Sequence, residues 1–504
     1  MHIERHELKK TMGLFDYFTL GFGSMVGIGW VVCVGDWIGT AGGPLAAIIA
    51  FLIGGAILLP VTWTYGEMVS SMPVAGGEIA YTYRGFGPKA SFYTGWILSF
   101  AYVFLCPWEA VAVGTIASSI FPGLKTMPLY EIMGFEVYFP LLMLELIVAL
   151  SIAYINYKGV EKAAKFQSSI TKLLILCGIA YAFAGVLLGD ASNLQPYMGH
   201  SIEGFGTLGG IIAVLAITPF FVAGFDTIPQ GAEESKSGIS YHNLGKVLSI
   251  TPLSGAIFYS TIIFVVALLM PWKSLINLEY PAADAIMGVA PFIGRLVLIG
   301  AVCGLLSTLN AFFVASTRLI FSMGRAKLIP TYFGKVDERC RTPKNAIIFV
   351  SIITIIAPFV GTAILIPVMS VGALSFMLAW LFVCLSAVRL RKIEPEMERP
   401  FKMPGGIKTG YLATLITALM VMMMVVPGSP GAINSVEWAT FLAWMLLGVV
   451  FYYMATNERN SISEEEREYM IFGEKELDFA PKNPNSGKEP SSMRTDPISH
   501  MKEA

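Results

Sequence analysis

The chain is written as long apolar runs separated by short polar stretches. A helix crosses the hydrocarbon core of a bilayer with about 20 largely apolar residues. By that measure the runs predict twelve spanning helices, at 14–40, 45–71, 91–120, 137–155, 167–189, 207–234, 248–270, 291–322, 345–362, 364–388, 409–427 and 437–456. The division between the ninth and tenth rests on a very short connection between Pro358 and Pro367. Two runs are interrupted. The first carries glycines at 21, 23, 27, 29 and 35, and the sixth carries Pro219, Gly224 and Pro229. Irregular backbone survives in a membrane only where protein or a water-filled cavity surrounds it. A pair of interrupted helices in corresponding positions of two halves points to a transporter's substrate site. The expected organisation is therefore residues 1–13 before the first span, one five-helix repeat at 14–205, a second at 206–408, and two more helices at 409–456. Residues 457–504 are rich in Glu, Lys, Ser, Asn and Pro and cannot build a core. They are expected to be mostly disordered, with a short amphipathic helix near 463–472.

Composition agrees with a membrane protein. Of 504 residues 55% are hydrophobic and 14% charged, against roughly 25% charged in soluble globular proteins. A net charge of −1 gives no basic field for nucleic acid. The six cysteines show no C-x-x-C and no metal-ligand spacing, and five sit in apolar segments. No structural disulfide, metal or cofactor is expected. The start of the chain, Met1–Lys10, is polar and does not read as a cleavable leader.

Charge sets an orientation. With the N-terminus on the cytoplasmic side, the inside loops 72–90, 156–166, 235–247, 323–344 and 389–408 hold nineteen Lys and Arg residues, and the outside loops hold only Lys125 and Lys273. Lys and Arg accumulate in cytoplasmic loops. Both termini are then expected in the cytoplasm of a multi-pass cell-membrane protein.

Breaking a helix frees N–H groups at one new end and C=O groups at the other. The N–H end carries partial positive charge. A carboxylate fits there, and an ammonium fits the freed carbonyls. An α-amino acid carries both charges on one carbon. Gly27 and Gly29 permit close approach and a left-handed backbone at the first break, and Pro219 and Gly224 bracket the second. The alternative for the glycines is small-residue helix packing.

Four long motifs carry a resemblance. They are "GFGSMVGIGWVV" in the first span, "YGEMVSSMPVAGGEIAYTYRGFGPKASFYTGW" at 65–96, "FFVAGFDTIPQGAEESK" at 220–236, and the stretch opening "LLSTLNAFFVASTRLIFSMGRAKLIP" at 305. In this order, over about Leu14 to Arg391, they resemble the amino acid–polyamine–organocation superfamily. The resemblance implies an all-α polytopic membrane protein of about twelve helices, with the leucine-transporter-type five-plus-five inverted repeat. By position it implies that amides near Ser24, Gly27, Ile28 and Gly29 meet a carboxylate, and that carbonyls near Phe221, Val222 and Ala223 meet an amine. Phe225, at the second break, is placed to cover bound substrate. Trp30 and "VGDW" (34–37) depart from the family's usual pattern.

Ionisable residues inside spans are functional candidates. Asp226 matches an acidic position that the family uses in gating or proton coupling; otherwise it caps the second half-helix. Glu109 follows Pro107 and Trp108 midway along the third span, where it meets a cationic substrate, carries a proton, or bonds a neighbouring hydroxyl. Glu145, in the fourth span, reads as a structural pairing. Proton-coupled relatives place a lysine in the fifth helix where its ammonium replaces sodium. That position falls on Leu174 here, and Lys172 is two residues early, about 200° round the helix. Lys172 either fills the role by a register shift or snorkels to the aqueous face. Ser307 and Thr308 would offer oxygens to sodium only if transport is sodium-coupled; hydroxyls in membrane helices commonly bond the backbone one turn back. Glu233, Glu234 and Glu67 can pair with cations such as Arg84, Arg325 or Arg341 to form an inner gate.

The expected function is secondary transport of amino acids or related amines by alternating access, with proton-coupled symport ahead of sodium. The alternatives are an amine or amino acid exchanger, or a non-transporting nutrient sensor on the same scaffold. No H-E-x-x-H, no P-loop and no nucleophile–base pair supports an enzyme. The expected partners are the small-molecule substrate, a proton and the lipid bilayer. Oligomeric state is not legible.

Overall fold

A computed structural model describes residues 5–473 apart from 6, 133, 202, 203, 205, 362–364 and 430. Most of the tail expected to be disordered, 474–504, lies outside the described residues. Nine described helices are long and apolar enough to cross a membrane. The two interrupted segments and Lys344–Val360 bring the number to the twelve expected. Span 1 comprises Leu14–Met25, then Gly29–Val32 and Val34–Ala41. Span 2 is Pro44–Ser71, span 3 Pro88–Ile120, span 4 Phe139–Tyr157 and span 5 Val160–Leu188. Span 6 comprises Thr207–Phe221 and the single turn Thr227–Gln230. Span 7 is Tyr241–Leu269, span 8 Pro291–Arg325, span 9 Lys344–Val360, span 10 Leu365–Ile393, span 11 Ile407–Val425 and span 12 Ser435–Met454.

Several helices outrun their apolar stretch. Span 5 starts at Val160 instead of 167, and span 7 at Tyr241 instead of 248. Hydropathy marks only the depth crossed, whereas the residues added to span 5, "VEKAAKF", are mostly good helix formers and extend the ladder into water.

Burial orders the helices. The most apolar stretch of span 3 is 89% buried and that of span 8 is 78%, whereas span 12 reaches 17%. Spans 3 and 8 therefore form the centre. Spans 4, 5, 11 and 12 form the rim, and Leu150, Phe183, Leu187 and Leu446 on them face outward for lipid. This is an all-α polytopic membrane protein. Its only described strands, β1 (Pro128–Ile132) and β2 (Phe135–Tyr138), form an antiparallel hairpin between spans 3 and 4.

The stretch 72–90, expected as a polar loop, folds differently. After Gly76, left-handed at φ 74, it forms the helix Gly77–Phe86, which packs against spans 3 and 10. Beyond span 12 the expected amphipathic helix is present as Glu464–Phe472, with Ser463 and Glu466 forming a reciprocal cap at its start. Arg5 donates to Met470 O and Ile471 O at the end of this helix, so the two described ends of the chain meet on one side of the bundle.

Candidate functional site

Span 1 stops at Met25. Val26 leaves helical geometry (φ −94, ψ 79), and the helix resumes at Gly29. The amides of Gly27, Ile28, Gly29 and Trp30 donate to no backbone carbonyl among the described residues. Three of these are the amides expected from sequence. Ser24 differs: it lies in the last turn of the first half-helix, and what it brings to the break is its hydroxyl. That hydroxyl shares its proton between Gly21 O one turn back, at 2.8 Å, and Gly224 O at 2.9 Å, so it lies between the two breaks.

The glycines of span 1 are needed for space, not for a left-handed backbone, since neither Gly27 nor Gly29 has a positive φ. A Cβ on Gly29 would lie 2.9 Å from the Phe221 ring, and one on Gly27 would lie 3.3 Å from Thr308 Oγ1 and 3.7 Å from Glu109 Oε1. From the other side span 8 presses in: a Cβ on Gly304 would lie 2.5 Å from Gly27 O. Trp30 does not narrow the gap. Its ring packs edge-on to Phe258 and beside Tyr181, away from the break.

Span 6 continues through Pro219 to Phe221, and the chain from Val222 to Asp226 is non-helical. Gly224 is the residue that requires glycine here, at φ 122. The carbonyls of Phe221, Val222 and Ala223 accept no hydrogen bond among the described residues. Freed amides of one half-helix and freed carbonyls of the other are thus joined through Ser24 near the middle of the bundle. Around them stand Trp37, Phe221, Phe51 and Tyr259, in mutual ring contact at 4.6–6.3 Å. Phe225 points elsewhere, between Tyr65 and Trp380 with ring centroids at 5.3 and 4.9 Å.

Glu109 faces the first break. It is buried, and its Oε2 has no hydrogen-bond partner, so the neighbouring-hydroxyl reading leaves that oxygen unexplained. Asp226 is also buried and makes no side-chain bond to the turn it precedes, which sets the capping reading aside. Its carboxylate turns back, accepting from Gly224 N at 3.1 Å and from Tyr102 OH at 3.0 Å. Lys172 is not brought to this cluster: its side chain is exposed, with the ammonium 5.0 Å from the Phe15 ring centre. Glu145 packs over Gly114 of span 3.

Ser307 and Thr308 are already engaged. Thr308 donates to Gly23 O and Gly304 O. Ser307 meets Thr171 Oγ1 at 2.9 Å and accepts from Gln167 Nε2 at 2.8 Å. The orientation of the Gln167 amide is fixed by a chain: Asn156 donates to Asn310, whose own amide donates to Gln167 Oε1. Gln167 Nε2 therefore points at Thr19 O and Ser307, presenting N–H donors where a cation would need oxygens. No cluster of His, Cys, Asp and Glu among the described residues is arranged to hold a metal. Gln167 and Tyr102 escaped notice in the sequence because nothing in their neighbourhood marks them. The only available signal was spacing: Gln167, Thr171 and Leu174 recur at helical intervals on one face of span 5.

One end of the bundle carries a cluster of buried ion pairs. Arg325 meets Glu233 at 2.7 Å, and Arg5 reaches the same carboxylate at 3.1 Å. Arg318 meets Glu234 at 3.1 Å. Among the suggested cations, Arg325 takes its place, Arg84 pairs instead with Glu394, and Arg341 is exposed. Glu67 is held by Arg391 and Arg399.

Comparison with known proteins bears on this arrangement. The amino acid permease family model matches residues 12–451. The branched-chain amino acid permease BcaP of Bacillus subtilis is 25% identical over 480 residues, covering 91% of this chain and 95% of the relative. The methylthioribose transporter of the same organism is 26% identical, with the same coverage. Its glutamate/serine transporter AimA is 28% identical over 79% of this chain and 75% of its own. With twelve spans among the described residues, two of them broken, the chain belongs to the amino acid permease family of the amino acid–polyamine–organocation superfamily and is a multi-pass membrane transporter.

Proposed function

We propose that this permease carries a neutral, apolar α-amino acid across the cell membrane by proton-coupled alternating access, with both termini cytoplasmic and with spans 1–5 and 6–10 as inverted repeats. The observation that carries the reading is the pairing of free amides at Gly27–Trp30 with free carbonyls at Phe221–Ala223. The amides are placed to hold the α-carboxylate and the carbonyls the α-ammonium, each by charge-assisted hydrogen bonds. The aromatic group of Trp37, Phe51, Phe221 and Tyr259 supplies an apolar wall for the side chain.

Proton coupling is favoured over sodium because the Gln167 amide already satisfies Thr19 O and Ser307. Alternating access requires the closed end, held by Arg325–Glu233 and Arg318–Glu234, to open in turn. A second reading, a cationic amino acid or amine, is favoured by one observation: the unpartnered Glu109 Oε2 beside the first break. The test is uptake of labelled leucine, valine, serine, lysine and putrescine into proteoliposomes, with and without an inward proton gradient at constant sodium. Proton-driven uptake of leucine or valine supports the reading. Selective uptake of lysine or putrescine favours the second, and uptake that requires sodium overturns the coupling assignment.

A further inference from the structure

Glu78 lies in a segment whose sequence reads as an aqueous loop, yet it is fully buried on the helix Gly77–Phe86. Its Oε2 accepts a hydrogen bond from Gln230 Nε2, and its Oε1 has no partner. Gln230 ends the single turn that Asp226 begins. Residues four apart share a helix face, so Asp226 and Gln230 project together, the one toward Tyr102 and the other toward Glu78. The hydroxyls of Tyr65 and Tyr81 are also buried without partners. At the two ends of the turn after the second break the structure thus holds two buried carboxyl groups, and no ion pair to either exists among the described residues.

Among the described residues, the nearby cations are paired with other carboxylates. From span 8, Arg318 is committed to Glu234. From span 2, Glu67 is held by Arg391 and Arg399, and Tyr65 is neutral. On its own helix Arg84 reaches Glu394. Span 3 contributes Tyr102, and span 10 contributes Trp380 and the buried Cys384. An ionised carboxylate placed there would leave one oxygen bare in a dry site, which is costly. A protonated one donates its O–H to the Gln230 carbonyl oxygen after a simple turn of that amide. Burial and, next, the Asp226 carboxylate push the Glu78 carboxyl well above the usual carboxylate range.

We propose that Glu78 is a second proton-carrying carboxyl, coupled to Asp226 through Gln230, which keeps its proton while the charged end of the bundle is closed and gives it to water when that end opens. Opening separates Glu233 from Arg325 only a few residues beyond Gln230 and admits water to Glu78. The O–H bond then breaks, the proton leaves as hydronium, and Glu78 remains as a hydrated carboxylate. Asp226 differs because both of its oxygens already have partners, Gly224 N at one and the Tyr102 hydroxyl at the other. Glu78 has one donor and one empty oxygen, so it is the group that changes charge with hydration.

The proposal rests on the proton-coupled reading, and its test separates the two. Full-length protein in proteoliposomes is assayed with labelled leucine, or labelled lysine if the panel above selects it. Two modes are compared: exchange at equal pH on both sides, and accumulation driven by an inward pH step. A one-unit step supports up to about tenfold accumulation for one proton per substrate. Wild type is expected to do both. Glu78→Gln, locked in the neutral shape, is expected to exchange within about twofold of wild type and to lose accumulation. Accumulation by Glu78→Gln equal to wild type overturns the role of Glu78 and leaves the coupled reading intact. Loss of exchange as well, in folded protein, overturns it by making Glu78 structural. Absence of pH-driven accumulation in wild type overturns both. If Glu78→Gln does not fold, Glu78→Asp keeps the carboxyl but shortens its reach: a displaced pH dependence of accumulation supports the proposal, and an unchanged one overturns it.

Discussion

The tightest approach to the site comes from span 8, and it yields a sharp prediction. A Cβ on Gly304 would lie 2.5 Å from Gly27 O and 2.9 Å from Val26 O, where ordinary contacts begin at 3.4 Å. Both acceptors are backbone and cannot rotate aside. Gly304→Ala therefore moves span 8 or the first break by roughly 1 Å, at an overpacking cost of about 1–3 kcal/mol. Strain that falls on the break misplaces the amides of Gly27–Gly29. At about 1.4 kcal/mol per tenfold change, substrate affinity should drop by about tenfold to a hundredfold. Gly372→Ala is the matched control, because a Cβ there meets nothing closer than Ala101 Cα at 4.0 Å. Affinity is read from substrate-dependent thermal stabilisation, and unliganded melting temperature reports the fold. Equal affinities for Gly304→Ala and Gly372→Ala would refute the argument that this contact shapes the site.

Three further outcomes are expected. Gly29→Val should abolish binding in folded, inserted protein, since its Cβ alone would meet the Phe221 ring at 2.9 Å; normal affinity in that variant counts against the amide site. Glu109→Gln keeps shape and removes charge: if a cationic substrate is the partner, lysine uptake should weaken and leucine be spared, whereas if a proton is the partner, the pH dependence should flatten for every substrate. Wild-type behaviour on both tests makes Glu109 structural. Arg325→Gln should loosen the closed end by less than the about 3–5 kcal/mol that breaking an isolated buried ion pair costs, because Arg5 still reaches Glu233. Hydrogen exchange at residues 227–235 should then accelerate, and unchanged protection would show that the pair does not hold the gate.

The large features of the fold were legible because each rests on one dominant force. Twelve spans follow from the cost of burying backbone in lipid, and the two breaks follow from glycine and proline placed where a continuous helix would otherwise run. The errors are equally physical. For Gly27 and Gly29 the sequence suggests both close approach and a left-handed backbone; only the close approach holds, and it is set by Phe221, Thr308 and Glu109 on distant spans, which local sequence does not encode. Glu78 falls in a stretch, 72–90, that reads as an inside loop, and Gln167 stands at the first position of the fifth predicted span with nothing around it to mark a role. The first is carried inward by a helix that Gly76 and Gly87 delimit, and the second is oriented by Asn310 and Thr19 on distant spans. The hairpin Pro128–Tyr138 had a faint signal, a short alternation either side of Gly134, easily lost between two long apolar runs.

The claim at the centre of this account is that one ligand is gripped at both ends, its carboxylate by span 1 amides and its ammonium by span 6 carbonyls. Thermal stabilisation of the purified permease by leucine, leucine methyl ester and N-acetyl-leucine tests it directly, because each derivative deletes one charge and keeps the side chain. Leucine should stabilise the protein and both derivatives should fail to do so at the same concentration. Equal stabilisation by either derivative would contradict the two-ended grip.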